Sequence, residues 1–92
     1  MSQFIQSGVP INFAADQIVS VARGTLLGFY VNSTSSGTIV IYNGQTAAGG
    51  TAISGTITPA IGYHRFPAYC PAGCFIAVTG GSGNLTAFFA AG

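Results

Sequence analysis

The apolar positions of this chain fall in short runs fenced by Gly, Pro, Asn and Ser, a pattern of strands between turns. The plainest case is Thr38-Ile39-Val40-Ile41-Tyr42, with Ser35-Ser36-Gly37 before it and Asn43-Gly44 after it. Branching at Cβ restricts χ1 in a helix and packs well on a pleated surface, and Asn-Gly readily supplies the positive φ of a tight turn. The same reading predicts strands over residues 16–22, 25–32, 62–66, 74–79 and 85–90, that over 62–66 closed by Pro67. Weaker strands are predicted over residues 3–6 and over 51–58, the latter ending at Pro59 because the residue before proline favours extended backbone. Residues 68–73 read as a turn or crossover and 80–84 as a hairpin loop. The stretch 12–20 is the only rival helix, and its β-branched residues with Gly and Pro nearby weaken it.

Seven to eight strands at about ten-residue spacing predict an all-β fold: a single antiparallel β-sandwich, jelly-roll-like or Ig-like. Residues 16–92 form the sandwich, and 1–15 an N-terminal arm or edge strand, with Pro10 fixing φ and removing a donor. Alternation within the strands is not clean. Leu27, Phe29 and Val31 are expected on one face with Leu26 and Tyr30 on the other, and Ile39 and Ile41 oppose Val40 and Tyr42. Both faces of these strands are therefore apolar or uncharged, which points to an outer face covered by another subunit.

Charge strengthens that expectation. Arg23, Arg65 and Asp16 are the only Asp, Glu, Lys or Arg residues among 92, so 3% of the chain is charged, against about 25% in an average soluble domain. A net charge of +1 gives little repulsion between copies. A domain this short buries only about 60–65% of its unfolded surface, so company also adds stability. Expected contact residues are Phe4, Ile5 and Ile11 in the arm, and the outward members of Leu26, Tyr30, Val40 and Tyr42 between copies. Two arginines cannot build a basic stripe for nucleic acid. Mean hydropathy is +0.58, yet runs such as Leu26-Leu27-Gly28-Phe29-Tyr30-Val31 are far shorter than the roughly 20 residues of a spanning helix. The first residues lack a basic start followed by an apolar region, so synthesis in the cytosol is expected, with Asn32 and Asn84 as ordinary turn and strand residues rather than glycan sites.

Chemistry-bearing residues are few. Cys70-Pro71-Ala72-Gly73-Cys74 is expected to hold two packed free thiols, with a disulfide formed after release from the cell as the other option. Zinc would need about four ligands, and His64 is the single further donor nearby. His64 and Asp16 can be written into a hydrolytic triad with a serine, but no Gly-x-Ser-x-Gly elbow occurs, and no enzyme, cofactor or metal site is expected. Gly80-Gly81-Ser82-Gly83-Asn84 lacks the lysine and spacing of a phosphate loop. Tyr30, Tyr42, Tyr63 and Tyr69, with Asn32 and Asn43, are compatible with a sugar platform, against which stands ordinary packing of tyrosines with wet hydroxyls.

The stretch from Leu26 to Gly50, then Thr58-Pro59, Phe66-Pro67, Gly73-Cys74-Phe75-Ile76-Ala77-Val78 and the closing Gly-rich loop, resembles small β-sandwich virion proteins of tailed bacteriophages. The likeness runs over about residues 17–89 and rests mostly on turn and strand chemistry. It implies a capsid decoration (cement) protein on the head, made in the bacterial cytoplasm. It also implies a homo-oligomer, a trimer before a dimer, whose partner is the major capsid protein. Similar modules in tails and fibres give the alternative, a receptor- or glycan-binding module. This chain lacks the appended domain of longer members, which favours decoration and leaves residues 1–15 as the capsid-contacting arm.

Overall fold

In the computed structural model, residues 9–33, 37–80 and 84–91 are described. Their eight strands are β1 (Val9–Phe13), β2 (Gln17–Ser20), β3 (Gly24–Ser33), β4 (Thr38–Asn43), β5 (Thr51–Ala52), β6 (Gly62–Cys70), β7 (Cys74–Thr79) and β8 (Asn84–Ala91). The chain doubles back at the β4–β5 turn, so that first pairs with last: β1 with β8, β2 with β7, β3 with β6 and β4 with β5, all antiparallel. Rolling that double ribbon brings β3 against β8 and β4 against β7. Two four-stranded sheets result: sheet I in the order β1-β8-β3-β6 and sheet II in the order β2-β7-β4-β5. This nesting is that of a jelly roll rather than of an immunoglobulin sandwich.

The core lies between the sheets. Sheet I contributes Phe13, Leu26, Phe29, Val31, Leu85, Ala87 and Phe89, and sheet II contributes Val19, Ile39, Ile41, Cys74 and Ile76. Burying a side chain of Leu, Ile or Phe size contributes about 1.5–3 kcal/mol each, so these positions carry the stability of the fold. Residues 3–6, with Phe4 and Ile5, lie outside the described residues.

Of the two options for residues 1–15, Val9–Phe13 takes that of an edge strand, in sheet I. Other expectations change. Ile11 is half-buried against the core of its own chain rather than held out on an arm, because its register partner Ala87 faces inward. Leu26 is fully buried and cannot meet another copy. Between Leu26 and Gly28, β3 advances two residues while β8 advances one, from Phe89 to Phe88. This bulge shifts the inward phase from Leu26 to Phe29 and Val31, which accounts for the imperfect alternation of β3.

Finally, β6 does not stop at Pro67 but runs on to Cys70, absorbing residues 68–70 expected in a turn. It is the outermost strand of sheet I, paired only with β3, and an edge tolerates a residue without N–H. On the far edge of sheet II, β5 shrinks to Thr51–Ala52. Beyond it the Ser54 hydroxyl accepts from the Ile41 N–H at 2.9 Å, and Ile57 resumes pairing with Ile39 through two backbone bonds of 2.8 and 2.9 Å.

Candidate functional site

Strand periodicity leaves each sheet an outer face, and the two faces differ. On sheet II, register aligns Ile18, Phe75, Tyr42 and Ala52 in one rung, Ala77 with Val40 in the next, and Thr79 with Thr38 in the last. None of these side chains is charged. Ile18 is 41% exposed, and the Tyr42 and Phe75 rings stand 6.1 Å apart across β4 and β7. The chain's single acid stays off this face. Val78 lies beyond the end of β2, which starts at Gln17 opposite Ile76, and Asp16 Oδ1 accepts the Val78 N–H at 2.7 Å in its place.

Sheet I carries two groups of side chains on its outer face. One is an amide ladder: Asn12 Nδ2 donates to Asn84 Oδ1 at 2.9 Å and Thr86 Oγ1 at 3.0 Å, and Asn32 Nδ2 donates to the same two atoms at 3.0 and 3.1 Å. These amides satisfy one another across β1, β8 and β3. An aromatic group begins on the same rung, where Tyr63 pairs with Tyr30 and Tyr30 with Thr86. Tyr63 lies across β3 with its hydroxyl 3.5 Å from the Leu27 carbonyl oxygen, its ring 6.0 Å from that of Phe88. Only glycine at position 28 permits this, since a Cβ there would stand 2.5 Å from the Tyr63 hydroxyl and 2.5 Å from the His64 carbonyl oxygen. Leu27, Tyr63, Arg65 and Pro67 line an open recess of about 300 Å³ beside the ring.

The structure therefore separates residues that the sequence grouped. Val40 and Tyr42 are half-buried on the outside of sheet II, while Tyr30, at 42% exposure, is on the outside of sheet I together with Tyr63 and Tyr69. The four tyrosines form no common platform. Nor do His64 and Asp16 meet. His64 Nε2 donates to the Ala60 carbonyl oxygen at 2.6 Å and its ring stacks on Phe29 at 5.2 Å, on sheet I, whereas Asp16 is tied to β7 of sheet II. Among the described residues no three His, Cys, Asp or Glu side chains are gathered closely enough to hold a metal. Among the described residues no helix is long and apolar enough to cross a membrane. Sequence reasoning passed over Gly28, although a glycine inside a strand is itself a sign of close approach.

Cys70 and Cys74 are free thiols, fully buried where the chain crosses from sheet I to sheet II. Burial pushes both thiols up, Cys74 to about 12, with the neighbouring Cys70 adding to the shift. The corner between them is locked to the β4–β5 turn. Asn43 Oδ1 accepts the Ala72 N–H at 2.9 Å, and the Gly44 N–H donates to the Gly73 carbonyl at 3.0 Å. Gly73 has φ +106, and a Cβ on it would meet the Ser20 carbonyl oxygen at 2.6 Å. The pair is thus built as packing at a rigid corner rather than as a reactive centre.

No family model, curated protein or solved structure matches the chain.

Proposed function

We propose that the chain is a structural protein of a tailed-bacteriophage particle, a capsid decoration (cement) protein that associates with its own copies, as a trimer before a dimer, and bridges subunits of the major capsid protein. The observation that carries this reading is the outer face of sheet II. In a chain with three formal charges, the rungs built on Ile18, Phe75, Tyr42, Val40 and Ala77 offer a surface without charge. Such a face packs against another uncharged surface at little desolvation cost. The resemblance to small phage virion sandwiches supplies the setting, and a jelly roll is a fold that capsid proteins use, though it is shared with lectins and cupins.

Contacts made this way scarcely depend on salt. Mixing the protein with undecorated heads and sedimenting them tests the reading: saturable co-sedimentation that survives a rise in salt is expected, and none at any concentration overturns it. Light scattering at tens of micromolar should give a defined oligomer, and a monomer there removes the association step.

A further inference from the structure

Arg65 is the one charge on the outer face of sheet I, and this chain has no acid side chain to offer it. Its only acidic residue, Asp16, holds the Val78 N–H on the other sheet. Beside Arg65 the Tyr63 ring is pinned, with its hydroxyl on the Leu27 carbonyl oxygen and Phe88 against the ring, yet it remains 51% exposed. The recess that these residues line with Leu27 and Pro67, about 300 Å³ and open to solvent, is at the small end of ligand pockets. The Asn12–Asn84–Asn32 ladder has spent its amide donors internally and leaves the ring and recess beside it as the receptive part of the face.

We infer that this recess is a binding site for an acidic sugar, a pyranose carrying a carboxylate. The C–H face of the sugar packs on Tyr63 and Leu27, and its carboxylate takes the forked donors of Arg65. A fixed aromatic ring costs little further ordering when a ligand stacks on it. The planar guanidinium suits a carboxylate better than an ammonium does. A neutral sugar would leave Arg65 unmatched, and a bare carboxylate would leave the ring and recess unused. The site and the sheet II face lie on opposite sides of the sandwich, so the sugar experiment and the head experiment succeed or fail independently.

The test is an NMR titration of the full ¹⁵N-labelled chain with galacturonate, galactose and acetate, and with the tripeptide Gly-Asp-Gly. Galacturonate should saturably shift amides around Leu27 and Tyr63 to Pro67. Galactose and acetate should each bind about tenfold more weakly or worse, since a charge-assisted contact is about that large. Arg65→Gln should abolish the preference for galacturonate over galactose, Arg65→Lys should restore part of it, and neither exposed substitution should alter unfolding. Equal shifts from acetate would show a simple anion site, and equal shifts from Gly-Asp-Gly would show an acidic protein partner; either overturns the sugar assignment. Silence toward galacturonate at tens of millimolar overturns it outright. A dilution-dependent shift at the same amides that Asp16→Asn removes would assign the site to a second copy, which also overturns it.

Discussion

The outer faces of sheets I and II come from one charge-poor chain, yet they ask for different company. Sheet II presents rungs of Ile18, Phe75, Tyr42, Val40 and Ala77 with nothing left to neutralise, so an identical face can meet it. Sheet I carries a self-satisfied amide ladder and, beside it, a ring, a recess and a cation that no acid side chain of the sheet answers. Low charge alone therefore does not define an interface. What distinguishes the faces is which groups the fold has already satisfied.

The strongest way to break this contrast is Gly28→Ala. The added Cβ meets the His64 carbonyl oxygen, which is backbone and cannot swing away, so a loss of about 2 kcal/mol is expected in urea unfolding. In the folded fraction Tyr63 is displaced and the sheet I recess is lost, while sheet II association persists. Parental stability would show that the ring does not approach the strand. A smaller effect separates the faces directly. Tyr42→Asp should weaken self-association at least tenfold, about 1.4 kcal/mol, and Tyr30→Asp should leave it unchanged, as read by light scattering. Equal effects from both would erase the distinction.

The smallest effect serves as a control common to both faces, because the thiols sit at the corner joining the sheets. With Cys74 at about 12 when folded and near 9 when unfolded, the unfolded state loses its proton first. The stabilising contribution of the neutral thiol is complete below pH 9 and declines as pH rises toward 12. The loss is about 0.4 kcal/mol by pH 9, measurable as a falling urea midpoint. Cys74→Ala should reduce that slope to the part that Cys70 contributes, without changing either face.

Much of the fold was legible because local chemistry and tertiary structure agree. The strands at Thr38–Asn43 and Cys74–Thr79 are β-branched or apolar runs ended by Asn-Gly or Gly, and both appear nearly where the pattern put them. Where the sequence misled, a longer-range partner decided. Pro67 suggested the end of a strand, but it lies on an edge strand where one missing donor is tolerated. Leu26 was placed outside by simple alternation, and the bulge at Leu27 put it inside. That Tyr30 and Tyr42 occupy opposite faces depends on strand order, which no local pattern encodes. The amide ladder joins residues 72 and 52 positions apart, and for the same reason left no mark in the sequence.

The edges of the two sheets have a consequence for how far association can run. A nearly uncharged, strand-rich chain is the composition that tends toward fibrils, since exposed edges template the next molecule. Here the outer strands are β1 with Pro10, β6 with Pro67 and Arg65, the four-residue β2 and the two-residue β5. None offers a long uninterrupted row of backbone donors and acceptors. Edge-to-edge zippering into a filament is thereby discouraged, which leaves the sheet faces rather than the strand edges as the surfaces open to other molecules.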